Sequence, residues 1–147
     1  MNNLSQEVKI LRCEYRTMEI VKKSSHTITA YVSNLQERPL SISNDRVKSF
    51  SRSNLKKIAD ELRKPTCHLK ALLQFHNDDK ETQKLAEIQN VQLVTRNGAP
   101  SLKLTLLSEN LESKGAYAAA ATNFADLNDG DYKDVSILCW PYDLGLC

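Results

Sequence analysis

Glycine and proline are scarce in this chain, four of each in 147 residues. That scarcity excludes a collagen-like repeat, a long flexible linker and a low-complexity tail. No CxxC pair occurs among the four cysteines, Cys13, Cys67, Cys139 and Cys147. A zinc site normally sets two ligands two to four residues apart, so that half the coordination shell forms on one turn. With His26, His68 and His76 as the only histidines, the spacing offers no metal site. The thiols are expected to be free and to act as small hydrophobes in a reducing compartment. No window approaches the 18 or more uninterrupted apolar residues of a membrane span. The start, MNNLSQEVKILRC, lacks the basic stretch and apolar run of a secretory signal. The expectation is an intracellular, cytoplasmic protein with no membrane contact.

Catalytic signatures are missing too. There is no GxSxG, Walker loop, GxGxxG or HExxH. Cys67 and His68 are adjacent, and neighbours on a helix diverge by about 100 degrees, so the imidazole does not face the thiol. The acidic run Asp126, Asn128, Asp129, Asp131, Asp134 is similar to a calcium loop at first sight. Gly130 falls one place early, however, and Ile137 stands where the bidentate Glu belongs. The sequence thus yields no catalytic residue, no metal ligand set and no cofactor, and a non-enzymatic role is expected.

What the chain does have is a division of charge. Residues 1–75 carry 14 Lys and Arg against 7 Asp and Glu, whereas residues 76–147 carry 6 against 11. The net of +2 conceals this. The basic excess peaks between Arg46 and Lys70, where only Asp60 and Glu61 oppose eight cations. A one-sided positive field concentrates polyanions and steers their approach, which points to nucleic acid, RNA or DNA.

The length suits one domain over residues 1–147, with a basic half at 1–75 and an acidic half at 76–147. Strands are expected at 7–15, 17–22, Thr27 to Val32 and Leu40 to Ser43, the third from its β-branched and aromatic alternation. In SRSNLKKIADELRKPTCHLKALLQF, Leu55, Ile58, Ala59 and Leu62 recur at helical spacing, with Ser53 or Asn54 as cap and Pro65 as stop. A second helix carrying Leu69, Leu72 and Leu73 and a third from Asp79 to Gln89 are expected after it. Val91 to Thr95 and Leu102 to Leu107 flank Asn97-Gly98, a hairpin signal. AYAAAATNF reads as a short helix, NDGDYKD as a polar loop, and Val135 to Trp140 as a last strand that Pro141 interrupts. Strands, then two to three helices, then strands, give an α+β domain.

The helix pair at 54–76 resembles a helix-turn-helix over about twenty residues. It departs from that pattern where Arg63 replaces the usual turn glycine and where Lys64 replaces an apolar residue. The resemblance implies that Thr66, Cys67, Lys70 and Gln74 face a major groove. A looser use of the same cations needs no motif. Arg46, Lys48, Arg52, Lys56, Lys57, Lys64 and Lys70 can hold a phosphate backbone, with Phe50, and Tyr31 upstream, free to stack on unpaired bases. At the other terminus, Trp140, Tyr142 and Leu144 alternate with Pro141 and Asp143, so an extended segment presents one apolar edge suited to self-association. The expected protein is a nucleic-acid binder that forms a homo-oligomer. The alternative is a small interaction module or inhibitor that binds an acidic partner protein. The compact size, free thiols and mixed charge suit a small viral, phage or plasmid protein.

Overall fold

The computed structural model describes residues 9–35, 40–43, 46–49, 55–63, 68–77, 79–108 and 124–142. These residues form eight strands and one helix: β1 (Lys9–Lys22), β2 (Thr27–Leu35), β3 (Leu40–Ser43), β4 (Arg46–Ser49), α1 (Leu55–Arg63), β5 (His68–Asn77), β6 (Lys80–Arg96), β7 (Ala99–Ser108) and β8 (Gly130–Tyr142). The sheet order is β2-β7-β6-β5-β8-β1-β3-β4, with a further pairing of β2 to β1. That last pairing closes β1, β2, β7, β6, β5 and β8 into a six-stranded antiparallel barrel, from which β3 and β4 extend. Closure removes the exposed edges of those six strands. The α+β expectation is overturned, because the described residues hold one short helix and are otherwise nearly all antiparallel sheet.

The two lost helices fail for an identifiable reason. In β5, Leu69, Ala71, Leu73 and Phe75 are buried, a period of two that fills the barrel. The helical spacing of Leu69, Leu72 and Leu73 was coincidental to it, and Leu72 turns outward. β6 was expected to be helical to Gln89 because Lys, Glu, Gln, Leu and Ala favour helices, but that preference is worth only tenths of a kcal/mol per residue. Pairing with β5 from Leu69↔Ile88 to Asn77↔Lys80 on one side and with β7 on the other outweighs it. A register shift between Ile88 and Asn90 re-phases the strand, so that Ile88 and Val91 both face the core.

Several expected elements are present. Thr27 to Val32 lies inside β2, Leu40 to Ser43 is β3, and α1 buries Leu55, Ile58, Ala59 and Leu62 over β6 and β7. The 7–15 and 17–22 segments merge into the single strand β1. The NDGDYKD segment is a loop only to Asp129, and β8 runs through Pro141, which pairs with Leu69. Pairing to β1 ends at Leu11↔Cys139, so the missing proline N–H lies beyond the last rung on that side. The AYAAAATNF expectation lies outside the described residues, apart from Phe124.

The hairpin between β6 and β7 has Asn97 at φ 53° and Gly98 at φ 77°, the left-handed pair of a type I′ turn. A Cβ on Gly98 meets nothing within 4 Å, so a side chain there is opposed by backbone conformation alone. Gly98→Ala should therefore cost about 1–2 kcal/mol in urea unfolding, and an unchanged midpoint would show that the turn relaxes freely.

A row of irregular residues lets so few strands close. β1 buries Leu11, Cys13 and Tyr15, then switches phase to Met18 and Ile20. β8 does the same between Val135 and Tyr132. At the switch, Arg16 stands between Asn34 of β2 (φ 58°) and Asp134 of β8 (φ 54°). Asn and Asp tolerate that left-handed backbone better than other side chains.

The barrel end at the turn between β1 and β2 is closed by residues 124–129. Phe124 and Leu127 are fully buried there. The Phe124 N–H donates to Ser25 O at 2.7 Å, and Lys22 Nζ donates to the carbonyls of Ala125 (3.0 Å) and Leu127 (3.1 Å). Lys84, 4% exposed, points into the barrel from β6 and pairs with Asp126 Oδ1 at 2.7 Å. Burial pushes the Asp126 carboxyl up, but the Lys84 hydrogen bond and charge hold it below its ordinary value.

Candidate nucleic-acid interface

The barrel interleaves what the sequence divides. The two halves of the chain are interleaved, since β1 lies against β8 and β5 lies between β6 and β8. β3, β4 and the start of β5 lie toward the end where β1 begins. The other end carries Asp79 and Glu81 at the turn between β5 and β6, and Asp126, Asp129 and Asp131 on the approach to β8, together with Lys22, Lys80 and Lys84, so its charge is mixed.

Arg46 and Lys48 lie on β4, opposite Ser43 and Ser41 of β3. Lys56 is exposed on α1, and Lys57 follows it on the same helix. Five residues join Ser49 to Leu55, so β4 and α1 start within about 20 Å of each other. Lys70 is half-buried on β5, opposite Glu87 of β6 and Trp140 of β8. Arg52, Phe50 and Lys64 lie outside the described residues.

Other parts of the expected site are corrected. Lys70 and Gln74 sit on a strand where the second helix was expected, so the helix-turn-helix likeness fails. Thr66 and Cys67 lie outside the described residues. Tyr31 is not an open stacking platform. The Arg96 guanidinium lies 4.1 Å from its ring centroid and is held by Glu19 through two hydrogen bonds, Nε to Oε1 at 2.9 Å and Nη2 to Oε2 at 3.0 Å. Those bonds hold the Glu19 carboxyl below its ordinary value. Trp140 and Tyr142 belong to β8, paired with Lys70 and His68, so both are barrel wall and not a free tail. Leu144 lies outside the described residues.

No family model, curated protein or solved structure matches this chain. Its own geometry must therefore carry any functional argument.

That geometry holds little that resembles an active site. Among the described residues no group of three or more His, Cys, Asp or Glu side chains is placed to hold a metal ion. His76 is exposed on β5. Cys13 and Cys139 are free and buried. Burial pushes the Cys13 thiol up to about 12, only partly offset by its hydrogen bond with Tyr15, and pushes Cys139 up as well. A thiol held neutral is a poor nucleophile. A cleft of about 420 Å³ lies between Lys22–Ser25 and Ala125–Asp129, but its central cation, Lys22, is already spent on two loop carbonyls. No helix among the described residues is long and apolar enough to cross a membrane.

Sequence reasoning missed Lys84, Phe124 and Leu127, and it weighed Asp126 only as part of an acidic run. Once β6 is taken as a strand in phase with Ala86 and Ile88, Lys84 falls on the inner face. The charge at that position is then the signal that a carboxylate must approach it.

Proposed function

We propose that this protein binds the phosphate backbone of nucleic acid through β4 and α1. What supports this reading is the placement of Arg46 and Lys48 on β4 and of Lys56 and Lys57 on α1, two elements separated by five residues of sequence. Cations on such neighbouring elements attract a polyanion and leave sequence unread, because phosphate contacts position without specifying. Lys56 is exposed on α1, whose apolar side faces the core, so charge can change there without disturbing packing.

Binding to a mixed-sequence oligonucleotide should weaken as salt rises, with a log–log slope of roughly −0.7 to −0.9 per phosphate contact. Lys56→Glu with Lys57→Glu should reduce affinity roughly 100-fold, a loss of about 2.7 kcal/mol, and flatten the slope by about two contacts, with unchanged thermal unfolding. Retained affinity at an unchanged slope would defeat the proposal. Binding to an acidic protein but to no oligonucleotide would favour the interaction-module reading instead.

A further inference from the structure

The chain contains one Asn-Gly pair, Asn97-Gly98, and it forms the two-residue loop of the β6-β7 hairpin. Both residues are exposed. The ladder closes at Arg96↔Ala99, so the two residues between lie outside its rungs. Among the described residues neither the Gly98 N–H nor the Asn97 carboxamide has a hydrogen-bond partner. Other asparagines are followed by larger residues, Leu35 after Asn34, Val91 after Asn90 and Asp129 after Asn128, each with a side chain that crowds its own backbone nitrogen. Gly98 has none, and the place a Cβ would take is empty to 4 Å.

That opening has a chemical consequence. The carboxamide carbon of an asparagine and the nitrogen of the next residue close a five-membered ring, so attack of one on the other is intramolecular and needs only the right backbone rotation. Glycine allows that rotation most readily. What opposes it here is an anchor on one arm of the turn. The Arg96 guanidinium bonds Glu19 of β1 at 2.9 and 3.0 Å and lies 4.1 Å from the ring centroid of Tyr31 on β2. The residue before Asn97 is thereby tied to two other strands.

We propose that Asn97 is a self-modifying site, a deamidation centre whose rate is governed by the Arg96–Glu19–Tyr31 contact. The Gly98 nitrogen gives its proton to hydroxide and bonds to Asn97 Cγ. The carboxamide nitrogen takes up a proton and leaves as ammonia, and the product is a succinimide. Water then adds to either ring carbonyl, the ring C–N bond opens, and aspartate or isoaspartate results. One water enters and one ammonia departs, with no oxidant, metal or cofactor. The two products differ in effect. Asp-Gly suits the same turn, so aspartate adds little beyond its charge. Isoaspartate inserts a methylene into the main chain, and a two-residue loop cannot absorb it. The rungs Arg96↔Ala99 and Thr95↔Pro100 then lose their register. The site does not depend on what β4 and α1 bind.

Folded full-length protein, held in mildly alkaline buffer and cleaved after its lysines, yields the peptide 85–103, which carries both Asn90 and Asn97. The peptide should gain the mass that exchanges an amino group for a hydroxyl, at Asn97 and not at Asn90. An isoaspartate-specific methyltransferase should label it. Gly98→Ala should slow the gain roughly tenfold or more, since a Cβ crowds the nitrogen and narrows the backbone. Glu19→Gln removes the charge that holds Arg96 and should speed it roughly two- to fivefold, the range an exposed ion pair supplies. Asn97→Asp should keep the wild-type urea midpoint, while protein aged to isoaspartate should unfold earlier. An Asn97 that stays intact in the folded protein while the urea-unfolded chain deamidates would overturn the site. Equal rates in wild type and Glu19→Gln would overturn the part assigned to the Arg96 contact.

Discussion

Phe124→Ala is expected to lower stability by about 3–5 kcal/mol, the usual range for removing a buried aromatic ring, although the residue lies in no strand or helix. A six-stranded barrel fills its own middle, but its ends must be stoppered, and Phe124 at 1% exposure with Leu127 at 0% stoppers one of them. The loop that carries them is fixed by the Lys22, Lys84 and Ser25 bonds, so it cannot simply collapse into the vacancy. With an m-value near 2 kcal/mol/M the urea midpoint should fall by roughly 2 M. Leu93→Ala is the control. At 43% exposure it should cost no more than about 1 kcal/mol. A Phe124→Ala loss of the same small size would mean that the loop merely rests on the barrel.

How much of this was legible in the sequence differs by element, and the reason is the range over which each is determined. The Asn97-Gly98 turn, the alternation in Thr27 to Val32 and the stripe of Leu55, Ile58, Ala59 and Leu62 are local signals, and each produced the element it encodes. β5 and β6 are decided by partners far away in sequence. HLKALLQFH satisfies both a helical and an alternating period, and only the neighbours β6 and β8 select the second. KETQKLAEIQ favours helix by composition, and twelve rungs of pairing, nine to β5 and three to β7, override it. Pro141 and the Asp131–Asp134 stretch were discounted as strand on local grounds, although pairing on one side and a tolerated left-handed Asp134 accommodate them. The site divides similarly. The exposure of Lys56 follows from the helical stripe, whereas the place of β4 depends on β3 pairing with the first rungs of β1, which no local pattern announces.

Between pH 8.5 and about 10.5 the protein should lose stability steeply, because its core holds two thiols and a phenol that resist ionisation. Cys13 and Cys139 lie diagonally across β1 and β8, next to Leu11↔Cys139 in register, with Tyr15 beside them at 2% exposure. Burial raises all three, and the charges of Cys13 and Cys139 would further oppose a tyrosinate. In the unfolded chain a thiol ionises near 8.5. A group whose folded value is raised contributes stability that is fully present below the unfolded value and lost as pH climbs toward the folded one. Each thiol therefore subtracts about 1.4 kcal/mol per pH unit above 8.5. Two of them remove roughly 5 kcal/mol by pH 10.5, about the whole stability of a marginal domain. Urea midpoints at pH 7.5, 9 and 10.5 read this directly. Cys13→Ala with Cys139→Ala should lower stability at pH 7.5 by leaving small cavities, yet flatten the alkaline slope by close to two protons. A double variant that keeps the wild-type slope would place the titrating groups elsewhere, in the phenol or in the lysines, and would remove the thiols from the account of alkaline unfolding.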